Sequence, residues 1–195
     1  TSLTFTSGNW NSLQTATITG VDDDVDDDNV TYTITTGTAT STDAKYNGLN
    51  PPDVSATNID NDDAGVAVSP YEGLYTTEAG GTATFTMKLT SKPTANVSIT
   101  LVSLNTNEGV VSPSTVPFTP DNWNTNQTIT VTGMNDDVDD DNVAYTIQTQ
   151  PCISSDPKYD GLNPVDVSLT NIDNDNAGYI LSQQNITYSE SDSPV

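Results

Sequence analysis

The sequence predicts an all-β chain, an antiparallel β-sandwich of two sheets built in tandem units of about 113 residues. Three observations predict it. Apolar residues alternate with threonine and serine at period two in short runs. Clusters of Gly, Pro, Asn and Asp punctuate those runs. Long stretches of the chain recur at a fixed spacing, which decides the architecture before any single strand does.

The recurrence is nearly literal. "FTSGNWNSLQTATITG" (Phe5–Gly20) matches "FTPDNWNTNQTITVTG" (Phe118–Gly133), and "KYNGLNPPDVSATNIDNDDAG" (Lys45–Gly65) matches "KYDGLNPVDVSLTNIDNDNAG" (Lys158–Gly178). Trp10 pairs with Trp123, Tyr46 with Tyr159 and Asp60 with Asp173, each pair 113 positions apart with no gap. A period of that length is a domain, not a solenoid coil. Residues 66–178 therefore form one complete unit. Residues 1–65 are the C-terminal half of a preceding unit, and residues 179–195 open a following one. With no starting Met and no signal peptide, the chain reads as a window on something longer.

Within the complete unit the strands follow in order. "GVAV" (Gly65–Val68) opens it. "TATFTMKL" sets Ala83, Phe85, Met87 and Leu89 on one face and threonines on the other. "VSITL" does the same with Val97, Ile99 and Leu101. "STVPF" (Ser114–Phe118) is a short addition. "QTITVT" contributes Ile129 and Val131, "VAYTI" contributes Val143, Tyr145 and Ile147, and "VDVSL" contributes Val165, Val167 and Leu169. The turns "AGG", "SKPTAN", "NTNEG" and "DGLNP" separate them. No stretch carries a helical period. About seven alternating strands in a unit of this length make a two-sheet sandwich. Its predicted core is Phe85, Leu89, Ile99, Leu101, Ile129, Val131, Tyr145, Ile147, Val167 and Leu169.

Charge narrows the partners. The 195 residues carry a formal net charge of −23, with neither His nor Arg and only Lys45, Lys88, Lys92 and Lys158 as cations. Such a surface repels phosphate backbones and anionic lipid heads, which excludes nucleic acid and membrane surfaces as partners and favours cations. No apolar run approaches the length of a membrane-spanning helix. The single Cys152 forms no internal disulfide and reads as a small loop residue. Paired aspartates could serve a hydrolase, but the acidic loops have no nucleophile and no histidine beside them, so no enzymatic activity is expected. Trp10 and Trp123 in "NWN" read first as packing residues at the start of a strand, with stacking on sugar rings as the alternative.

The acids are not scattered. "GVDDDVDDDNV" (Gly20–Val30) nearly recurs as "GMNDDVDDDNV" (Gly133–Val143), and "NIDND" recurs after the last strand of both copies. On a sandwich, Glu78 in "TTEAGG", the turn Asp136–Asp141 and the exit Asp173–Asp175 fall at one pole, with Glu108 in "NTNEG" beside them. Two carboxylates about 4 Å apart repel by roughly 4 kcal/mol at an effective dielectric near 20, and four lysines cannot neutralise so many. Calcium can, because it takes six to eight oxygens in loose geometry. Zinc lacks His and Cys ligands here, and magnesium prefers fewer carboxylates. The expected calcium ligands are Glu78, Asp136, Asp137, Asp139, Asp141, Asp173 and Asp175, supplying two or more ions per junction. Asp140 is expected to point partly into solvent.

The order "TEAGGTATFTMKLTSKPTANVSITL … FTPDNWNTNQTITVTGMNDDVDDDNVAYTI … VDVSLTNIDND" resembles the Calx-β domain of the kind found in tandem in large bacterial surface and secreted proteins. "NIDND" is also similar to the acidic linkers between cadherin domains. The resemblance implies an immunoglobulin-like sandwich that binds calcium at the pole leading to the next domain. It implies ligands at Glu78, in the turn Asp136–Asp141, and at Asp173 and Asp175. In the first copy it implies Asp23, Asp24, Asp26, Asp27, Asp28, Asp60 and Asp62. Two departures stand out. The family's Asp between strands three and four is matched only by Glu108, and its acidic turn usually includes a Glu where this chain has only Asp. The expectation is a calcium-binding structural module of an extracellular or cell-surface stalk or filament. Its partners would be neighbouring repeats of the same chain or identical subunits. The alternative is a calcium-dependent adhesin module that holds a glycan or a surface protein.

Overall fold

The computed structural model describes residues 2–182, 185 and 187. The predicted opening of a further unit at 179–195 lies largely outside those residues. The described residues form twelve strands and no helix. The first copy contributes β1 (Val30–Ile34) and β2 (Val54–Asn58). The complete unit contributes β3 (Val66–Ser69), β4 (Leu74–Thr77), β5 (Thr82–Leu89), β6 (Val97–Ser103), β7 (Gly109–Ser112) and β8 (Thr115–Phe118). It continues through β9 (Gln127–Gly133), β10 (Val143–Thr149), β11 (Ile153–Ser154) and β12 (Val167–Ile172).

Two sheets face each other in the complete unit, which is an immunoglobulin-like β-sandwich. One has the order β3-β5-β9-β7; the other has the order β11-β6-β10-β12-β4, with β8 also paired to β6. Alternation dictates this packing. In β5, Ala83, Phe85, Met87 and Leu89 are buried between the sheets while Thr82, Thr84 and Lys88 face water. All ten predicted core residues are buried, joined by Val97, Val116, Phe118 and Tyr159.

The structure adds three strands that the sequence pattern hid. β4, β7 and β11 are two to four residues long, too short to show a period. β4 matters most. The chain changes sheets between β3 and β4 through a turn with Gly73 at φ +71, and β4 then runs parallel to β12, from Leu169↔Leu74 to Ile172↔Thr77. That parallel pair departs from the antiparallel expectation. The strand at "VDVSL" is also shifted: it begins at Val167, and Val165 is exposed. The Asp166 carboxylate explains the shift. It accepts the Thr149 N–H at 2.8 Å, so the segment before Val167 is held by a side chain and not by the ladder. Cys152 lies in a loop, as expected, between β10 and β11, but is buried against the core, and burial pushes its thiol pKa up to about 11.

The first copy reproduces part of this frame. β1 pairs with β2 from Val30↔Asn58 to Ile34↔Val54. β10 pairs with β12 from Val143↔Asn171 to Ile147↔Val167, the same register 113 positions on. What differs is cover. Phe118 and Tyr159 are buried and Trp123 packs against the core, whereas their counterparts Phe5, Tyr46 and Trp10 are 57%, 58% and 67% exposed. They line an open cleft of about 920 Å³. The strands that would close a sandwich over that cleft have no counterpart within residues 2–65.

Candidate metal centre at the acidic pole

Strand register gathers the acids. β9 ends and β10 begins at the same pole, so the turn Asp136–Asp141 bridges the two sheets there. β12 ends at that pole, and β4, being parallel to it, ends there too, which places Glu78 beside Asp173. β7 begins opposite the end of β9, with Gly109 across from Gly133, and so delivers Glu108.

Two groups of three carboxylates result, each with ligand oxygens within 4.8 Å of one another. Glu78, Asp173 and Asp175 make one; Glu108, Asp136 and Asp140 make the other. Glu78 and Glu108 are buried. Backbone amides aim these side chains. Asn174 N–H donates to Glu78 Oε2 at 3.1 Å, Asp141 N–H to Asp173 Oδ2 at 3.1 Å, and Asp175 N–H to Asp173 Oδ1 at 2.7 Å. Asp175 Oδ2 is buried and has no hydrogen-bond partner.

Beneath Glu108 lies a polar network. Asn171, fully buried, donates from Nδ2 to Glu108 Oε2 at 3.3 Å and to the Met134 carbonyl at 2.9 Å. Its Oδ1 accepts from Thr76 Oγ1 at 2.9 Å, and that hydroxyl also bonds the Tyr145 hydroxyl. Close packing requires glycine on both sides. A Cβ at Gly109 would meet the Tyr145 ring, and one at Gly133 would meet the Thr77 carbonyl oxygen and Asn171 Oδ1.

Carboxylates crowded this way resist ionisation. For Glu78 the Asn174 amide lowers the pKa, but burial and the charges of Asp173 and Asp136 outweigh it, and the net direction is upward. Asp175 is raised by burial first and then by Asp173, Asp137, Asp136 and Asp139.

Of the expected ligands, Glu78, Asp136, Asp173 and Asp175 fall within the two groups. Asp137, Asp139 and Asp141 lie in the same turn outside them, all exposed. Asp139 Oδ2 instead accepts the Ala177 N–H at 2.5 Å, and Asp141 holds the turn at φ +63. Asp140 is exposed, as expected, yet reaches Glu108 and Asp136. Asn171 and Thr76 went unread in the sequence. The repeat carries the signal for Asn171, since Asn58 stands at the same place and donates to the Val21 carbonyl at 3.0 Å.

The first acidic turn has the same internal bonds. Val25 N–H donates to Asp23 Oδ1, Ala64 N–H to Asp26 Oδ2, and Asp62 N–H to Asp60 Oδ1. Asp28 matches Asp141 at φ +62. Asp60 also accepts the Asp27 N–H. Asp62 is raised by burial and then by Asp60, Asp22, Asp24 and Asp23. Asp24 lends its carbonyl to the Lys92 N–H at 2.6 Å. Asp26 and Asp28 face a lysine: Lys158 Nζ lies 2.7 Å from Asp26 Oδ1 and 2.8 Å from Asp28 Oδ1. That hydrogen bond, followed by the Ala64 amide, holds Asp26 below the usual carboxylate range, while Asp26 and then Asp28 raise Lys158.

No family model matches the chain, and neither does any curated protein. Among solved structures it is similar to an apo-form Calx CBD1 domain, with 12% identity over 57% of this chain and 96% of that one, at a TM-score of 0.43. It is similar to domains 4 and 5 of the S-layer protein SbsC, with 22% identity over 63% of this chain and 59% of that one, at 0.37. It is also similar to the periplasmic chaperone SfaE, with 10% identity over 55% of this chain and 57% of that one, at 0.39. Each is a resemblance between β-sandwich folds and extends no further.

Proposed function

We propose that the chain is a calcium-binding structural module from an extracellular array of such units, and that calcium stiffens the junctions between them. The observation that carries this reading is the buried, unpartnered Asp175 Oδ2 within the Glu78, Asp173 and Asp175 group. A buried polar oxygen without a partner is costly unless something positive meets it. The spacing suits the ion. Calcium–oxygen distances of about 2.3–2.6 Å put oxygens on opposite sides of one ion about 5 Å apart, and the oxygens of each group lie within 4.8 Å of one another. The all-oxygen donor set is that of a hard cation.

Glu78, Asp173 and Asp175 would hold one ion, and Glu108, Asp136 and Asp140 a second. A bound cation would supply the positive charge that the crowded carboxylates lack. The chain's own part is orientation. Backbone amides of the exit segment fix Asp173 and Glu78, and Asn171 fixes Glu108. Because Asp173–Asp175 is also the segment leading out of the unit, ligation there would order the path of the chain beyond it. No catalytic role is assigned: the chain has no histidine, and its one thiol is buried.

Titration calorimetry tests the reading. The wild-type chain should take up calcium with about two sites in the complete unit. Asp136→Asn with Asp173→Asn, which keeps one acceptor oxygen at each position, should remove most of that uptake. At about 100 times its dissociation constant, calcium should add roughly 2.7 kcal/mol of stability per independent site. No uptake at millimolar calcium would defeat the proposal.

A further inference from the structure

The carboxylates opposite Lys158 belong to the other copy of the repeat. Asp26 and Lys158 are 132 positions apart in sequence, yet the ammonium sits between Asp26 and Asp28. The loop that presents it is fixed from below. Asp156 is buried and accepts the Lys158 N–H at 2.9 Å and the Thr94 N–H at 2.7 Å. Tyr159, also buried, donates from its hydroxyl to the Ser91 carbonyl at 2.6 Å. Lys158 therefore projects from a rigid pole, opposite to the acidic pole of its own unit.

Around it the same two copies meet through backbone. Lys92 N–H donates to the Asp24 carbonyl at 2.6 Å, and Thr90 Oγ1 to the Asp63 carbonyl at 2.7 Å. The receiving side is equally fixed, since Asp26 is held by Ala64 N–H through its second oxygen at 3.0 Å. Two preformed surfaces, one presenting an ammonium and one a pair of carboxylates, are complementary in charge and geometry.

We infer that the pole carrying Ser91–Thr94 and Asp156–Tyr159 is a docking surface for the acidic turn of an adjoining copy of the unit, and that Lys158 is the cation at the centre of that contact. The inference rests on reading the chain as tandem units and not on calcium. Asp26 and Asp28, expected as metal ligands, serve here as the socket for lysine. On this inference the contact is made by the lysine and needs no divalent ion at that point.

Amide hydrogen exchange on the full chain in chelator tests this. The Lys92 amide reports the contact, and the Ile129 and Ile147 amides report the core. Lys158→Met keeps the aliphatic stem and removes the charge. It should speed exchange at Lys92 by about fivefold or more while Ile129 and Ile147 stay unchanged, and Lys158→Arg should restore most of the protection. Unchanged exchange at Lys92 in Lys158→Met would overturn the inference. If the core amides also speed up, Asp28→Asn decides the matter, because that side chain is 78% exposed and lies outside the core. A similar loss at Lys92 supports the inference, and none refutes it. Failure of calcium uptake would leave this result in chelator untouched, so the two readings fail separately.

Discussion

At the scale of single residues, the acidic pole depends on groups that carry no charge. Asn171 has three partners from three segments, Glu108, Met134 and Thr76. Gly133 leaves the space in which two of those segments meet. Gly133→Ala should therefore cost about 1–3 kcal/mol through overpacking against backbone that cannot yield, and it should weaken calcium uptake because Asn171 orients Glu108. Denaturant unfolding and calorimetry would show both effects. Gly178→Ala is the control, since the nearest atom to a Cβ there is 4.0 Å away and its backbone is unstrained. The carboxylates themselves were legible, because a repeated run of aspartates has few other readings. Asn171 was not. A lone Asn between Thr and Ile looks like any exposed strand residue, and only burial distinguishes it.

At the scale of strands and turns, alternation was readable in β5, β6, β9 and β10, while β12 was read two residues early. It failed for β4 and β7, and β4 is the strand whose parallel pairing places Glu78 beside Asp173. The two poles should also answer pH in opposite directions. Glu78 and Asp175 have raised folded-state pKa values. The stability they contribute in chelator is fully present below the ordinary carboxylate range and is lost as pH rises through the raised values. Asp26 is lowered, chiefly by Lys158, so its contribution is present above the ordinary range and is lost as pH falls through the depressed value. As pH falls toward about 4, protection of the Glu78 amide, which donates to the Ile172 carbonyl, should rise once corrected for intrinsic exchange. Protection of the Lys92 amide should not rise and should fall at still lower pH. Calcium should flatten the response at Glu78. Parallel responses at the two amides would contradict these assignments.

At the scale of the whole molecule, the two copies meet end to end, the acidic turn of the first on the lysine-bearing pole of the second. Little chain separates them: β2 ends at Asn58 and β3 begins at Val66. Small-angle scattering in calcium should accordingly show an elongated particle, and a compact one would contradict the arrangement. The repeat itself was visible in the sequence, because matched stretches need no structure to be seen. The role of Lys158 was not, since its carboxylates lie more than a hundred positions away and only the fold brings them together. The two faces of this contact differ, one offering a cation and the other anions, so neither can pair with its own twin. Contacts of that kind are heterologous and do not close on themselves as a two-fold dimer does. Units joined this way would all point in the same direction, and a row of them would have a distinct head and tail.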